Sequence, residues 1–180
     1  MIKTKHIVFV VVTFLLLGCD ARKEKRAEAK IEPKSKSLVS GQAVFSEKNG
    51  KVKIEISLNG AAPGPAAVHL HGVGDCSADD ATSSGGHWNP TQENHGKWGE
   101  PPFHSGDIGN IKVDDSGKGR LTLIDQYNRW SIGGPPETNV IGRAVVVHQG
   151  KDDMKSQPSG AAGKRTGCGP IIVVTGTTEK

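Results

Sequence analysis

The chain of 180 residues predicts an all-β fold: a Greek-key β-barrel or sandwich of about eight antiparallel strands with two long functional loops. Three observations carry that expectation. Gly 24 and Pro 10, in a chain that is only 34% hydrophobic, place turns at short intervals. Val52-Lys53-Ile54-Glu55-Ile56-Ser57-Leu58 alternates with strict period two, so one face meets a core and the other meets water. No segment shows the 3.6-residue period of an amphipathic helix.

The elements follow in order. Leu38–Phe45 reads as a strand, and Asn49-Gly50 is a hairpin turn because both residues accept positive φ. The turn leads into the alternating strand 52–58. Val68–His71 is a further strand, Ile108–Val113 and Arg120–Ile124 flank the turn from Asp114 to Gly119, and Val140–His148 and Ile171–Thr175 complete the set. Between them run Gly72–His104 and Gln149–Arg165, rich in Gly, Ser, Pro and Asp. Loops of that length are uncommon unless functional or disordered, so something must hold them.

The N-terminus is different in kind. Met1–His6 carries Lys3 and Lys5, Ile7–Leu17 is apolar apart from Thr13, and Leu16-Leu17-Gly18-Cys19 closes the run, which marks residues 1–18 as a secretory signal peptide. About eleven apolar residues fall well short of the ~20 that span a bilayer. The run resembles a bacterial lipobox, which implies that Cys19 becomes a lipidated N-terminus and anchors the chain to a membrane. Residues 19–37 then form that lipidated end and a flexible linker. Arg22–Lys36 alternates charge, lacks apolar periodicity and contains Pro33, as a solvated tether would. The folded domain is expected over 38–180. Much of the chain's Lys and Arg sits in that tether, so the net charge of +4 does not indicate nucleic acid, and no nucleic-acid-binding motif accompanies it.

Seven histidines occur, and apart from His6 all fall between His69 and His148. His69 and His71 are two apart on a strand, so both imidazoles share a face, about 6–7 Å apart at the backbone. His148 ends the apolar run Ala144-Val145-Val146-Val147, where a neighbouring strand can add a third ring. His87, His95, His104 and Asp107 lie in a Gly/Pro-rich loop, and three imidazoles with one carboxylate match tetrahedral zinc. Imidazole also suits copper. Seven such ligands require two ions.

These residues resemble the copper/zinc superoxide dismutases over essentially the whole chain after the linker. Ala67-Val68-His69-Leu70-His71-Gly72-Val73-Gly74-Asp75 is similar to the family's first signature, and Gly163-Lys164-Arg165-Thr166-Gly167-Cys168-Gly169 to its second. Gly86-His87-Trp88-Asn89-Pro90, His104-Ser105-Gly106-Asp107 and Gly142-Arg143-Ala144-Val145-Val146-Val147-His148 agree in content and order. The resemblance implies copper held by His69, His71, His87 and His148, and zinc held by His87, His95, His104 and Asp107, one of each per subunit. It implies that Asp152 links a copper histidine to a zinc histidine, that Arg165 orients the anion, that His87 takes up a proton, and that Cys76 and Cys168 form a disulfide. The eleven-residue step from Cys76 to His87 is more like the bacterial secreted members.

The implied activity is dismutation of superoxide to dioxygen and hydrogen peroxide by Cu(II)/Cu(I) cycling, protecting the cell envelope from an exported, membrane-anchored position. The alternative is a non-catalytic exported copper/zinc-binding protein on the same scaffold. Trp88, Trp98 and Trp130 suit either a core or a subunit interface, and a homodimer is the assembly expected.

Overall fold

Alternating sequence becomes paired strand between long loops in the computed structural model, which describes residues 24–174. The strands are β1 Lys25–Pro33, β2 Ser40–Lys48, β3 Lys51–Asn59, β4 Gly64–His71, β5 Gly109–Val113, β6 Gly119–Ile124, β7 Ala144–His148, β8 Arg165–Pro170 and the two-residue β9 Ile172–Val173. The order β2-β3-β6-β5-β4-β7-β8-β1 closes on itself because β1 also pairs with β2, and β9 lies along β1. Every pairing in the ring is antiparallel, and no α-helix occurs among the described residues. Closure leaves the main strands without a free edge.

Period two sets the core. Val52, Ile54, Ile56 and Leu58 of β3 point inward with Phe45 of β2, Val68 and Leu70 of β4, and Val145 and Val147 of β7. On β4 and β7 the outward residues are buried as well, because the long loops cover that wall: His69, His71 and His148 are all buried. Trp88 and Trp130 are buried in the core, and the half-buried Trp98 packs on Trp130 with ring centroids 4.5 Å apart.

The flexible linker expected over residues 19–37 is corrected by β1. Lys25–Pro33 pairs with β2 from Lys25↔Glu47 to Ile31↔Gly41, and with β8 at Glu32↔Cys168 and Pro33↔Gly167. Ala27, Ala29 and Ile31 are fully buried between exposed Lys25, Arg26, Lys30 and Glu32. Two of the three inward residues are alanines, whose small side chains give weak hydropathy, so the charged outer face dominates the composition. The folded body therefore includes Lys25–Pro33 and does not start at Leu38. The signal segment 1–18, Cys19 and the end of the expected strand Ile171–Thr175 lie outside the described residues.

The second difference is β8, a strand written Arg-Thr-Gly-Cys-Gly-Pro with almost no apolar side chain. Its glycines answer a close approach: a Cβ on Gly169 would stand 2.4 Å from the Lys30 carbonyl oxygen of β1. Residues 140–143, expected as strand, are turn, and β7 starts at Ala144. Cys168 of β8 is bonded to Cys76, 92 residues earlier. In the chain-entropy model a loop of that size stabilises the fold by about 4–5 kcal/mol. The bond fastens the start of the long loop to the barrel wall.

Ile31→Ala distinguishes strand from tether. Removing a fully buried isoleucine from a barrel wall costs about 2–5 kcal/mol, read as a lower urea midpoint. A change within about 0.5 kcal/mol, as for a surface residue, contradicts the placement of β1 in the barrel.

Candidate metal centre

Residues two apart on a strand share a face, and β4 turns Val68 and Leu70 into the barrel while His69 and His71 face outward. Val68↔Val147 pairing with β7 sets His148 beside them, where an irregularity between Val147 and His148 shifts the register. His87 joins from the loop through an antiparallel bridge to His71. Ring centroids of His69 lie 3.9 Å from His87 and 4.9 Å from His148, and His71 lies 5.3 Å from His87.

One nitrogen of each strand histidine has a partner. His69 Nε2 donates to Asp152 Oδ2 at 2.8 Å, His71 Nδ1 to the Gly85 carbonyl at 2.8 Å, and His148 Nδ1 to the Gly163 carbonyl at 3.2 Å. These bonds fix the tautomers. The remaining nitrogens, His69 Nδ1, His71 Nε2 and His148 Nε2, are buried without any partner, as is His87 Nε2. Ligand atoms of all four residues lie within 4.8 Å of one another. Buried acceptors facing each other are unfavourable unless a cation sits among them, and four imidazole nitrogens suit copper.

The second group shares His87. Asp107 Oδ1 lies 2.9 Å from His87 Nδ1, 2.9 Å from His95 Nδ1 and 3.2 Å from His104 Nδ1. His95 Nδ1 and His104 Nδ1 make no aligned hydrogen bond despite that proximity, so the atoms converge on a point and not along N–H directions. Three imidazoles and a carboxylate around one point fit zinc. The outer nitrogens are again fixed: His95 Nε2 donates to Asp152 Oδ1 at 3.0 Å and His104 Nε2 to the Glu93 carbonyl at 3.0 Å. Asp107 Oδ2 accepts the backbone N–H groups of His104 and Gly96. Asp152 therefore links His69 of one group to His95 of the other, and the His87 ring borders both groups through its two nitrogens.

Burial keeps three rings of the first group neutral. It lowers His71 to about 2, His148 to about 3 and His87 to about 4, in each case against a partner that favours the charged ring. Burial also acts downward on His95, but Asp107 and Asp152 outweigh it and raise the ring to about 9. Burial would raise both carboxylates, yet the rings of His104, His87 and His95 gathered against Asp107 hold it far below the usual range, and hydrogen bonds from His69 and His95 do the same for Asp152.

Two further residues support the centre, and neither stands out in the sequence. Gln157 accepts the His95 backbone N–H at 2.8 Å and donates to the His95 carbonyl at 2.9 Å, a reciprocal clamp on one ligand. Gly160, at φ +68°, packs against the Asp152–His95 pair so closely that a Cβ would stand 1.8 Å from Asp152 Oδ1. Both act through tertiary contact, which no local spacing announces. Arg165 opens β8 at a cavity of about 510 Å³ lined by His71, His87, His148 and Gly163. Its Nη1 donates to the Ala81 carbonyl at 2.7 Å and to Ser84 Oγ at 3.3 Å, in the loop that the Cys76–Cys168 bond fastens.

Comparison with known proteins agrees with this geometry. The family model for copper/zinc superoxide dismutase matches residues 39–171. A protein of Aquifex aeolicus (strain VF5) named superoxide dismutase Cu-Zn 2 is 34% identical over 164 residues, covering 88% of this chain and 94% of its own. A second from the same organism, superoxide dismutase Cu-Zn 1, is 35% identical over 136 residues, 73% of this chain and 79% of its own. A solved structure described as the clock protein EA4 superposes with a TM-score of 0.73 at 33% identity, covering 83% of this chain and 94% of that one. Two imidazole clusters joined at one ring, set on the outer wall of a closed eight-stranded barrel, thus accompany a sequence match across most of the chain, which belongs to the copper/zinc superoxide dismutase family.

Proposed function

We propose that the protein dismutes superoxide in the cell envelope, exported by residues 1–18 and held to a membrane through a lipid on Cys19. The observation that carries the catalytic reading is the set of buried ring nitrogens with no protein partner, converging as two groups that meet at His87. His69, His71, His87 and His148 hold copper, and His87, His95, His104 and Asp107 hold zinc. Bound copper supplies one-electron chemistry in both directions, and zinc supplies fixed positive charge. Two superoxide anions and two protons give one dioxygen and one hydrogen peroxide.

The protein groups divide the remaining work. Arg165 presents to the cavity a guanidinium that stays charged although burial lowers its pKa. With Nη1 anchored on Ala81, its other N–H groups orient a small anion beside His71, His87 and His148. His87 Nε2 is the site at which a proton is held and returned, and burial keeps that ring neutral otherwise. Asp152 fixes the rings of His69 and His95. For the export reading, the support is the apolar run Ile7–Leu17 ending at Cys19.

Arg165→Ala is expected to lower superoxide consumption by about an order of magnitude or more while copper and zinc contents stay at wild-type levels. Unchanged activity removes the anion-orienting role. Asp152→Ala and Gln157→Met keep every ligand, and zinc affinity is expected to fall by about 10–100-fold in the first and toward the lower end of that range in the second. Chelator competition measures both.

Zinc uptake also carries a pH signature. In the metal-free protein His95 is charged up to about pH 9, so zinc must displace its proton. Apparent zinc affinity should rise about tenfold per pH unit toward pH 9 and level off above it. The stability that charged His95 lends the metal-free fold has the opposite sign, complete below pH 6.5 and lost as pH rises through about 9. Affinity that is flat between pH 6.5 and 9 contradicts the His95 assignment.

A further inference from the structure

We propose that one end of the barrel is a docking surface for an anionic lipid bilayer, an inference that rests on the reading of Cys19 as the lipid anchor. The register brings together at this end the start of β1, the end of β2, the start of β3, the end of β6 and β9. Four of the exposed large hydrophobics lie at this end, Ile124 and Tyr127 on its β6 side and Ile172 and Val173 on its β9 side, at 49%, 46%, 63% and 54% exposure. Ile124 pairs with Lys53, and the Tyr127 turn is tied to β3 through Asp125 N–H on the Val52 carbonyl. Val173 and Ile172 pair with Ala27 and Glu28.

Cations surround this apolar set. Lys25 and Lys53 are paired with Glu47 and Glu55 at 3.5 and 2.7 Å, which leaves exposed Arg26, Lys48 and Lys51 opposed by Glu24 and the half-exposed Glu28. Lys51 Nζ donates to Asn128 Oδ1 beside Tyr127, so its charge sits against the apolar group. Apolar side chains among Lys and Arg are the composition that lies on a negatively charged lipid surface.

The chain itself limits where this end can go. Only residues 20–24 separate Cys19 from β1, and they add Arg22 and Lys23. Six extended residues reach at most about 20 Å. A lipid on Cys19 thus holds the start of β1 close to the headgroups, where the local concentration of bilayer lets a weak surface engage. The metal wall is compatible with that pose. In the ring order β4 and β7 lie four strands from β2 and β3, directly across the barrel, and Arg165 opens β8 at the other end. Docking leaves the cavity facing water.

Intact mass establishes the lipid on Cys19, and labelled variants then test the surface. Val173→Cys and Tyr127→Cys report on the docking end, with Leu38→Cys and Val73→Cys as exposed apolar controls elsewhere. Each mature, labelled protein is bound to vesicles of phosphatidylcholine with about 30% phosphatidylglycerol and a nitroxide-bearing lipid. Labels at 173 and 127 should be quenched about threefold or more above those at 38 and 73. Arg26→Glu combined with Lys48→Glu and Lys51→Glu should remove the difference while the anchor keeps the protein on the vesicles. Equal quenching at all four positions overturns the surface, as does a label at 173 already shielded by a second copy in detergent. If Cys19 carries no lipid, the anchor reading fails, and failure of the unlipidated protein to sediment with the same vesicles overturns the docking surface separately.

Discussion

The centre depends on an arrangement that a protein does not adopt for its own stability: ring nitrogens buried together with nothing to bond to. Each such group, dehydrated and unpaired, costs about 1–3 kcal/mol, and His69, His71, His87 and His148 each contribute one, while His95 and His104 turn theirs toward Asp107. What keeps them there is the opposite side of each ring. Five of the six donate from the far nitrogen to a fixed oxygen: Asp152 for His69 and His95, and backbone carbonyls for His71, His104 and His148. His87 has no such outer partner, because its two nitrogens face the two groups. It is the ring with freedom to change what it touches.

Those fixed oxygens lie mostly in loops, so loop placement becomes the next requirement. The loops are fastened to the barrel at points independent of any ion. The disulfide ties Cys76 to β8. Arg143 donates to carbonyls of Gly72, Pro136 and Asn139 and stacks over Trp88. The Trp130 indole donates to the Ser105 carbonyl beside His104, and Arg129 holds Glu93, whose carbonyl takes the His104 proton. A scaffold that sets the far side of each ring before an ion arrives favours one geometry, which is how a protein tunes and selects bound metal.

How legible this was in the sequence follows from where the information resides. His69, His71, His87, His95, His104, Asp107 and His148 are visible because the chemistry lies in side-chain identity and a strand's period of two brings the first pair together. Most barrel strands are visible for the same reason of period. β1 is not, because Ala27 and Ala29 fill a tight corner of the core with little hydropathy while Lys25, Arg26, Lys30 and Glu32 fill its outer face. β8 is hidden likewise, Gly169 chosen by the approach of Lys30 and Gly167 by that of Ile31. Gln157 and Gly160 are hidden for a different reason. They meet His95 across 62 and 65 residues of chain, and a contact between backbone and a distant side chain leaves no local pattern.

Recognising β1 as a barrel strand changes more than a boundary. A solvated tether would let the body tumble at a distance from its anchor, with no preferred face toward a membrane. A strand bonded to β2 along its length and to β8 at its end transmits the position of residue 25 rigidly to the ring. With the lipid proposed on Cys19, orientation then becomes a property of the barrel: the end where β1 starts is tied to that proposed attachment point, and the wall formed by β4 and β7 is set across from β2 and β3. Under the lipidation proposed for Cys19, an enzyme for a small diffusing anion needs its cavity open to water more than it needs distance from lipid. A barrel closed by β1 then meets that need by geometry alone.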